Sequence, residues 1–239
     1  MIINTRAIVI SAIKYSEADL VVKCFTQTSG LKSYLLRGVL KSRKGKFKAS
    51  MFQPLTQLEL VAKHKDKGSL EYLQDARVLL HYQSLHTNVV KSTMVLFLSE
   101  VLRNAIQEEE QNEPLYFYLE EAFKFLDNTD NISNFHLLFL LRLTRYLGFY
   151  PDDSLEEGTC FNLLDGIFQD IKTNEYCIDG PNFLLLKQLL GTNFDDLHNI
   201  KLTKSARANF LTMLLAYYRL HIESFKNPQS LTVLNEIFH

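Results

Sequence analysis

Apolar and polar positions alternate along the first 80 residues, in short runs that are separated by turn residues. Alternation with many β-branched side chains is typical of strands whose two faces meet different environments. The cluster Thr28-Ser29-Gly30 and the residue Pro54 mark two of the turns. Five strands are predicted, within residues 6–13, 19–26, 31–37, 55–63 and 69–80. Five short strands have to cover their edges, and a small closed or nearly closed barrel does so.

Residues 39–53, between the third and fourth runs, break this pattern. The stretch reads VLKSRKGKFKASMFQ and is too polar and too basic for a strand inside a core. We therefore predict a long exposed loop or a mobile extension of a strand at this place.

After residue 80, apolar positions recur every three or four residues, which is typical of amphipathic helices. The first predicted helix covers residues 81–109. A second helix is predicted with Pro114 in its first turn, and a third over residues 135–147 with Asp130 or Ser133 as its cap. Further helices are predicted from Lys204 and over residues 230–238, the last with Asn227 as its cap and Pro228 in its first turn. Residues 152–180 lose the period and contain Gly158, Gly166 and Gly180, so a small irregular insertion with a possible hairpin is expected. These patterns predict an α+β protein with a strand-rich domain at 1–80 and a helical bundle domain at 81–239.

Composition narrows the class of protein. With 46% hydrophobic residues in 239, the chain can bury a large core, which excludes disordered and fibrous classes. Its longest stretch without Asp, Glu, Lys or Arg has 13 residues, whereas a membrane-spanning helix needs about 20 apolar ones. The N-terminus has no small-residue cleavage site and is not expected to be a secretory signal. Three cysteines do not make a disulfide framework, so a cytoplasmic protein is expected.

The formal net charge of −1 is a cancellation between two oppositely charged parts of the chain. Residues 1–80 carry 14 Lys and Arg against 6 Asp and Glu, whereas residues 81–239 carry 12 against 21. From Leu20 to Leu58 there are eight basic residues and no acidic one. Such asymmetry indicates contact with nucleic acid, with an acidic protein surface of this or another chain, or with a membrane.

The basic segment, residues 20–58, is the one feature of the sequence whose chemistry suggests a specific function. A small barrel with a basic loop and interleaved aromatic residues suits single-stranded nucleic acid, because cations follow the phosphates while rings stack on bases. The aromatic candidates are Tyr15, Tyr34, Phe47 and Phe52, although the pattern favours a place in the barrel core for Tyr34 and Phe52. Phe47 lies between Lys46 and Lys48 and is expected to be exposed. The candidate DNA-binding residues are Lys32, Arg37, Lys41, Arg43, Lys44, Lys46, Phe47 and Lys48.

Motifs of the common catalytic and metal-binding classes are missing from the sequence. The nearest approach to a P-loop, residues 38–47, has six residues between its glycines and Phe47 in place of the hydroxyl residue. Neither G-x-S-x-G nor H-E-x-x-H occurs. Cys160 and Cys177 lack the closely spaced partner cysteines that a structural zinc site uses. An enzyme, a metal site and a cofactor are therefore not expected.

The order of these features resembles the RecO family of bacterial recombination mediators. Four stretches carry the resemblance: AIVISAIKYSEADLVVKCFTQTSG, RGVLKSRKG followed by FQPL, LTRYLGFYPD, and LLAYYRLHIESFKNPQSLTVLNEI. They extend from residue 7 to residue 237. The resemblance implies an N-terminal OB-fold barrel, a helical bundle and no enzymatic turnover. It also implies binding of single- and double-stranded DNA, annealing of complementary strands, and loading of RecA onto DNA coated by single-strand-binding protein.

The resemblance further implies binding partners, and the sequence departs from the family in one respect. The expected partners are DNA, RecR, in some bacteria RecF, and the acidic, hydrophobic tail of single-strand-binding protein, with RecA involved indirectly. Arg142 and Arg145 are candidates for contact with the carboxylates of that tail, or are simply part of an exposed helix face. Many relatives carry a zinc module with paired cysteines near residues 155–180, and the single Cys160 and Cys177 predict its loss here. An RNA-binding OB-fold protein and an adaptor that docks an acidic protein tail remain alternatives.

Overall fold

The computed structural model describes residues 1–41, 45–65, 70–107, 110–152 and 158–238. The chain divides into two compact units, Met1–Asp127 and Asn128–His239. Arg43 and Lys44, two of the candidate DNA-binding residues, lie outside the described residues. Among the residues that are described, no helix is both long and apolar enough to cross a bilayer.

An antiparallel sheet of five strands organises the first unit. The strands are β1 (Ile2–Lys14), β2 (Leu20–Thr26), β3 (Gly30–Leu36), β4 (Gln57–Lys63) and β5 (Tyr72–Val78). Their order is β3-β2-β1-β4-β5, and a parallel bridge between Tyr34 and Glu71 joins the two ends of the sheet. The predicted barrel strands and the α+β class are confirmed.

The long first strand allows the sheet to curl. Residues 2–8 of β1 pair with β4, whereas residues 7–14 pair with β2. The register shifts between Val9 and Ser11, and an irregularity of this kind bends a strand and increases its twist. One β1 face is buried through Ala7 and Val9, which pack with Tyr34, Phe52 and other residues of a single apolar cluster. Alternation in sequence thus becomes an inside and an outside in the barrel.

In the described part of the first unit, two α-helices follow the sheet, α1 (Val89–Ala105) and α2 (Glu113–Asn128). The prediction of a helix from His81 is wrong, since α1 begins eight residues later. Asn88 caps it, with its side-chain oxygen accepting the N–H groups of Val90 and Lys91. Pro114 lies in the first turn of α2, as predicted.

Tertiary hydrogen bonds hold residues 83–85 out of the helix. The carboxylate of Asp127 accepts the N–H groups of Gln83, Ser84 and Leu85, each at 2.8 Å. Lys91 Nζ adds a bond to the Asp127 carbonyl at 2.6 Å. Burial raises the pKa of Asp127, but these N–H groups outweigh it and the pKa lies below its usual value. The spacing of apolar residues in this segment is that of a helix, but its N–H groups donate to Asp127 instead of to carbonyls within a helix.

The second unit consists of helices and a small sheet. Its elements are α3 (Phe135–Tyr146), β6 (Cys160–Asn162), β7 (Ile167–Gln169), β8 (Cys177–Ile178), α4 (Gly180–Leu190), α5 (Lys204–His221) and α6 (Leu231–Phe238). The predicted insertion contains a three-stranded sheet in the order β7-β6-β8, and β6 with β7 forms the hairpin. Strands of two or three residues are too short to show a period in sequence.

The predicted caps of two helices in this unit are wrong, although α3 and α6 lie within the segments predicted to be helical. The cap position of α3 is Asn134 rather than Asp130 or Ser133. Its amide does not cap the helix but donates to the Ile200 carbonyl at 2.7 Å and accepts from Arg207 at 3.1 Å. The last helix begins at Leu231, so Asn227 is not its cap and Pro228 does not lie in its first turn. Asn227 instead accepts a hydrogen bond from Arg219 at 2.8 Å.

Candidate nucleic-acid interface

Hydrogen bonds hold the loop between β1 and β2 against the segment that follows β3. We call these two stretches, residues 15–19 and 37–41, the loop junction. The Gly38 N–H donates to Asp19 Oδ1 at 2.8 Å, and the Leu40 N–H donates to the Ala18 carbonyl at 3.0 Å. Gly38 has a φ of 69°, which glycine adopts without strain. The junction brings Arg37 and Lys41, in the segment after β3, to the end of the barrel where β1 turns into β2.

Asp19 fastens the loop junction as an ion. The hydrogen bond from the Gly38 N–H, helped by the Ser16 hydroxyl and the charges of Arg37 and Lys41, holds the pKa of Asp19 below its usual value. The carboxylate is therefore charged at neutral pH. Its signal in the sequence is weak, because Ser16-Glu17-Ala18-Asp19 reads only as a polar turn.

An exposed aromatic ring accompanies the cations of the loop junction. Tyr15 exposes 65% of its surface and Leu40 exposes 40%. Arg37 is exposed, and the Lys41 ammonium donates to Glu17 Oε2 at 2.9 Å. Exposed aromatic rings beside Lys and Arg are what single-stranded nucleic acid uses for stacking and phosphate contact. Among the four aromatic candidates, Tyr15 has the most accessible ring.

The basic segment continues at Lys46 and Lys48, both of which are exposed. Lys46 Nζ lies 3.5 Å from Asp75 Oδ1 on β5, and both side chains are more than half exposed. The expectation that Phe47 is exposed is wrong. Its ring is partly buried against the barrel core and meets Phe52 edge-on, with centroids 6.1 Å apart. Lysines that flank an apolar residue do not prevent it from turning inward, since neighbouring side chains point in different directions.

The remaining candidates in the barrel are less accessible. Lys32 is half-buried on β3, opposite Cys24 of β2. Tyr34 and Phe52 are buried in the core, as the favoured interpretation predicted. The Tyr34 hydroxyl bonds His64 Nε2 at 2.9 Å, and burial raises the pKa of Tyr34. Neither ring is available for stacking on a base.

The fold brings acids to a segment that has none in its own sequence. Glu17 meets Lys41 and Asp75 meets Lys46, although residues 20–58 contain no Asp or Glu. Exposed ion pairs of this kind contribute only about 0–1 kcal/mol. Both lysines can therefore exchange a carboxylate for a phosphate at little cost.

Comparison with known proteins covers this unit and the rest of the chain. The family model described as Recombination protein O N terminal matches residues 1–82. A second model, Recombination protein O C terminal, matches residues 86–230. This chain belongs to the RecO family. The resemblance found in the sequence is confirmed, and with it the OB-fold as the fold of the five-stranded barrel.

Curated relatives of the RecO family match over the whole chain. The chain is 63% identical over 238 residues to DNA repair protein RecO of Christiangramia forsetii, with both chains covered completely. Identity is 45% to DNA repair protein RecO of Flavobacterium psychrophilum and 34% to that of Bacteroides fragilis, again with complete coverage of both chains.

The two arginines considered for the RecO partner site have different surroundings. Arg142 donates to the Thr192 carbonyl at 2.7 Å and to Asn193 Oδ1 at 2.6 Å, and its guanidinium lies 5.4 Å from the centroid of the Phe194 ring. Arg145 is exposed and stacks over the Tyr150 ring at 4.1 Å. Arg142 thus fastens the loop after α4, whereas Arg145 presents its charge on the surface.

The zinc module of some RecO proteins is not matched by the described residues of the insertion. Cys160 donates to the Gln169 carbonyl at 3.2 Å, while the Gln169 amide donates to Cys177 Sγ at 3.1 Å. Within the described ranges, no group of three or more His, Cys, Asp and Glu residues is placed to hold a metal. A closed structural zinc site needs four such ligands, so these residues do not fit the ion. The two thiols are instead joined through one glutamine.

Proposed function

We propose that this chain is a DNA-binding recombination mediator in bacterial DNA repair. It binds single- and double-stranded DNA, anneals complementary strands, and helps to load RecA onto DNA coated by single-strand-binding protein. It acts in the cytoplasm on the nucleoid, with RecR as a partner and without catalytic turnover. Residues 1–80 form the domain that holds DNA. The names of the curated relatives support the role in DNA repair.

The observation that carries the proposal is the loop junction with its continuation in Lys46 and Lys48. Arg37, Lys41, Lys46 and Lys48 are exposed cations on one small barrel, and Tyr15 presents an exposed ring in the same loop junction as Arg37 and Lys41. OB-folds bind oligonucleotides through the loop between their first two strands, which is where Tyr15 lies. Backbone charge and aromatic stacking bind a strand without selecting its sequence, as annealing requires.

The acidic remainder of the chain limits where DNA binds. Residues 81–239 carry 12 basic against 21 acidic side chains, a net charge of −9. Like charges repel phosphates across about one Debye length, roughly 8 Å at physiological ionic strength. DNA is therefore confined to the barrel, and other surfaces remain available for protein partners.

The tail of single-strand-binding protein is proposed to meet the second unit at Arg145, with Arg142 in a supporting part. A guanidinium that stacks on an aromatic ring keeps its edge available for a carboxylate. Arg145 has that arrangement over Tyr150. An Arg145→Ala variant is expected to bind an acidic tail peptide more weakly, as measured by fluorescence anisotropy. Unchanged peptide binding would move the site elsewhere.

Strand annealing tests the function. Complementary oligonucleotides, each coated with single-strand-binding protein, are mixed with and without this chain, and duplex formation is followed by fluorescence transfer. We expect a clear acceleration that declines as salt rises. Equal rates with and without the chain would contradict the mediator role.

Competition with unlabelled RNA distinguishes the mediator role from an RNA-binding function. If the chain is a DNA-binding mediator, RNA should not displace DNA preferentially.

A further inference from the structure

A pocket of about 370 Å³ opens on the first unit, between the 3₁₀ helix at Ala49–Phe52 and the segment that follows β5. Its walls include Ser50, Met51, Val78, His81 and Tyr82. Small-molecule sites generally measure about 300–1,000 Å³, so this pocket lies at the small end of that range. Its size suits a single heterocycle rather than a folded peptide.

The lining combines apolar faces with polar edges. Met51, Val78 and the Tyr82 ring offer apolar surface, whereas Gln53 and His81 are exposed and offer hydrogen-bonding groups. None of the lining residues is acidic. A nucleobase has the matching chemistry, with an apolar face for stacking and an edge of donors and acceptors. The absence of carboxylates from the lining also avoids repulsion of the adjoining phosphates.

Hydrogen bonds make one wall of the pocket rigid. The Tyr82 hydroxyl donates to the Leu55 carbonyl at 3.2 Å, and His86 Nε2 donates to the Pro54 carbonyl at 2.9 Å. The Tyr82 and His86 rings meet edge to face, with centroids 5.6 Å apart. Leu55 itself has a φ of 64°, a backbone conformation that is unusual for a residue with a bulky side chain. Such strain persists where surrounding contacts impose it, often at binding sites.

The pocket is continuous with the basic segment. Lys48 directly precedes the 3₁₀ helix that supplies Ser50 and Met51. Lys46 lies against Asp75, which is three residues before Val78 on β5. Three residues of strand span about 10 Å. A single strand of DNA whose phosphates contact Lys46 and Lys48 therefore passes within reach of the pocket.

We propose that this pocket receives one unstacked base of a single strand whose phosphates contact Lys46 and Lys48. The inference rests on the proposed function and adds a base-binding subsite to it. Phosphate contacts position the strand, and the inserted base adds affinity that a backbone alone cannot supply. Base insertion also distinguishes single strands from duplexes, whose bases are paired and stacked.

The test compares two ligands on the full chain. The first is a thymidine oligonucleotide and the second is an abasic oligonucleotide of the same length, which keeps the phosphates and lacks the bases. Ser50→Trp fills the mouth of the pocket from an exposed position, and Thr28→Trp introduces the same ring in an exposed turn away from the pocket lining. We expect Ser50→Trp to weaken binding of the thymidine strand roughly 10-fold, within the range that base stacking supplies. Binding of the abasic strand should stay within twofold, as should both ligands with Thr28→Trp.

Crosslinking provides the second readout. An oligonucleotide with 5-iododeoxyuridine should crosslink to peptides that contain Met51 or Tyr82 in the native chain, and Ser50→Trp should suppress those crosslinks. Equal loss of both ligands in Ser50→Trp, no loss of either, or crosslinks confined to other peptides would overturn the subsite alone. Failure of the native chain to bind the thymidine strand at low salt would overturn the proposed function and the subsite together.

Discussion

The Lys41 ammonium donates a hydrogen bond to the Glu17 carboxylate at 2.9 Å, across the two loops that follow β1 and β3. The side chains expose 63% and 85% of their surface, so the pair is weak and its cation remains accessible to phosphate. The same contact explains how a segment without acids can have its charge moderated by the fold.

Glu17→Gln is expected to tighten DNA binding. The change frees Lys41 from its carboxylate and removes one negative charge from the loop junction. Affinity for a single strand should rise up to about fivefold, which corresponds to the 0–1 kcal/mol of an exposed ion pair. Fluorescence anisotropy at several salt concentrations measures it. Glu223→Gln, at an exposed position of the second unit, is the matched control and should leave affinity unchanged. Weaker binding by Glu17→Gln would contradict the assignment of Lys41.

Lys46→Glu combined with Lys48→Glu should weaken binding and flatten its dependence on salt. Each phosphate contact on a single strand contributes about −0.7 to the slope of log affinity against log salt, so the slope should become less steep by about 1.4. The control is Arg103→Glu with Lys201→Glu, which changes the net charge equally at exposed positions outside the barrel. If both double variants lost affinity equally, general charge rather than the basic segment would be responsible.

Tyr15→Ala should remove a stacking surface. Loss of one stacked base costs about 1–3 kcal/mol, whereas the salt slope should be unaffected because no phosphate contact is lost. Tyr15→Phe keeps the ring and should bind nearly as the native chain does. Tyr72→Ala serves as the comparison, because it removes another partly exposed ring. Tyr72 is the first residue of β5, and its ring lies under the Lys65 ammonium. Parallel titrations with a thymidine strand measure all three; an effect of Tyr72→Ala as large as that of Tyr15→Ala would refute the special position of Tyr15.

Asp127→Ala should destabilise the first unit by about 2–4 kcal/mol. It removes the acceptor of the N–H groups of residues 83–85, of which that of Leu85 is buried, and hydrogen bonds to a charged group contribute about 1.5–3 kcal/mol each. Because the pKa of Asp127 is lowered on folding, its contribution is complete above the unfolded pKa of about 3.9. That contribution is lost as pH falls through the lower folded value. Urea unfolding at pH 7 and at pH 3 measures both effects.

The control for this prediction is Asp130→Ala, an exposed residue in the loop after α2. It should change the free energy of unfolding by less than about 0.5 kcal/mol. Asp127→Asn retains one acceptor oxygen and should fall between the native chain and Asp127→Ala. A loss of stability in Asp127→Ala that did not diminish at low pH would show that the carboxylate charge is not the cause.

Local patterns predicted the elements whose side chains have one environment per face. The alternation in residues 6–13 led to β1, because burial of Ala7 and Val9 in the barrel imposes the period of two that the sequence displays. Pro114 marked the start of α2, because it lacks the N–H that a first turn leaves unbonded. Errors arose where a group that could bond locally forms a hydrogen bond with a residue distant in sequence. The N–H groups of residues 83–85 donate to Asp127, and the Asn134 amide donates to the Ile200 carbonyl.

Charge and apolar period along the chain determined the barrel strands, the helical class of the remainder and the location of the basic segment, because these depend on residues near one another in sequence. Only the tertiary structure decided which of those residues meet. It paired Lys41 with Glu17 and Lys46 with Asp75, turned Phe47 toward the core, left Tyr15 exposed, and formed a pocket from residues 50–56 and 78–86. The physical reason is that hydrogen bonds, ion pairs and burial act at short distances in space, whereas the sequence records separation along the chain.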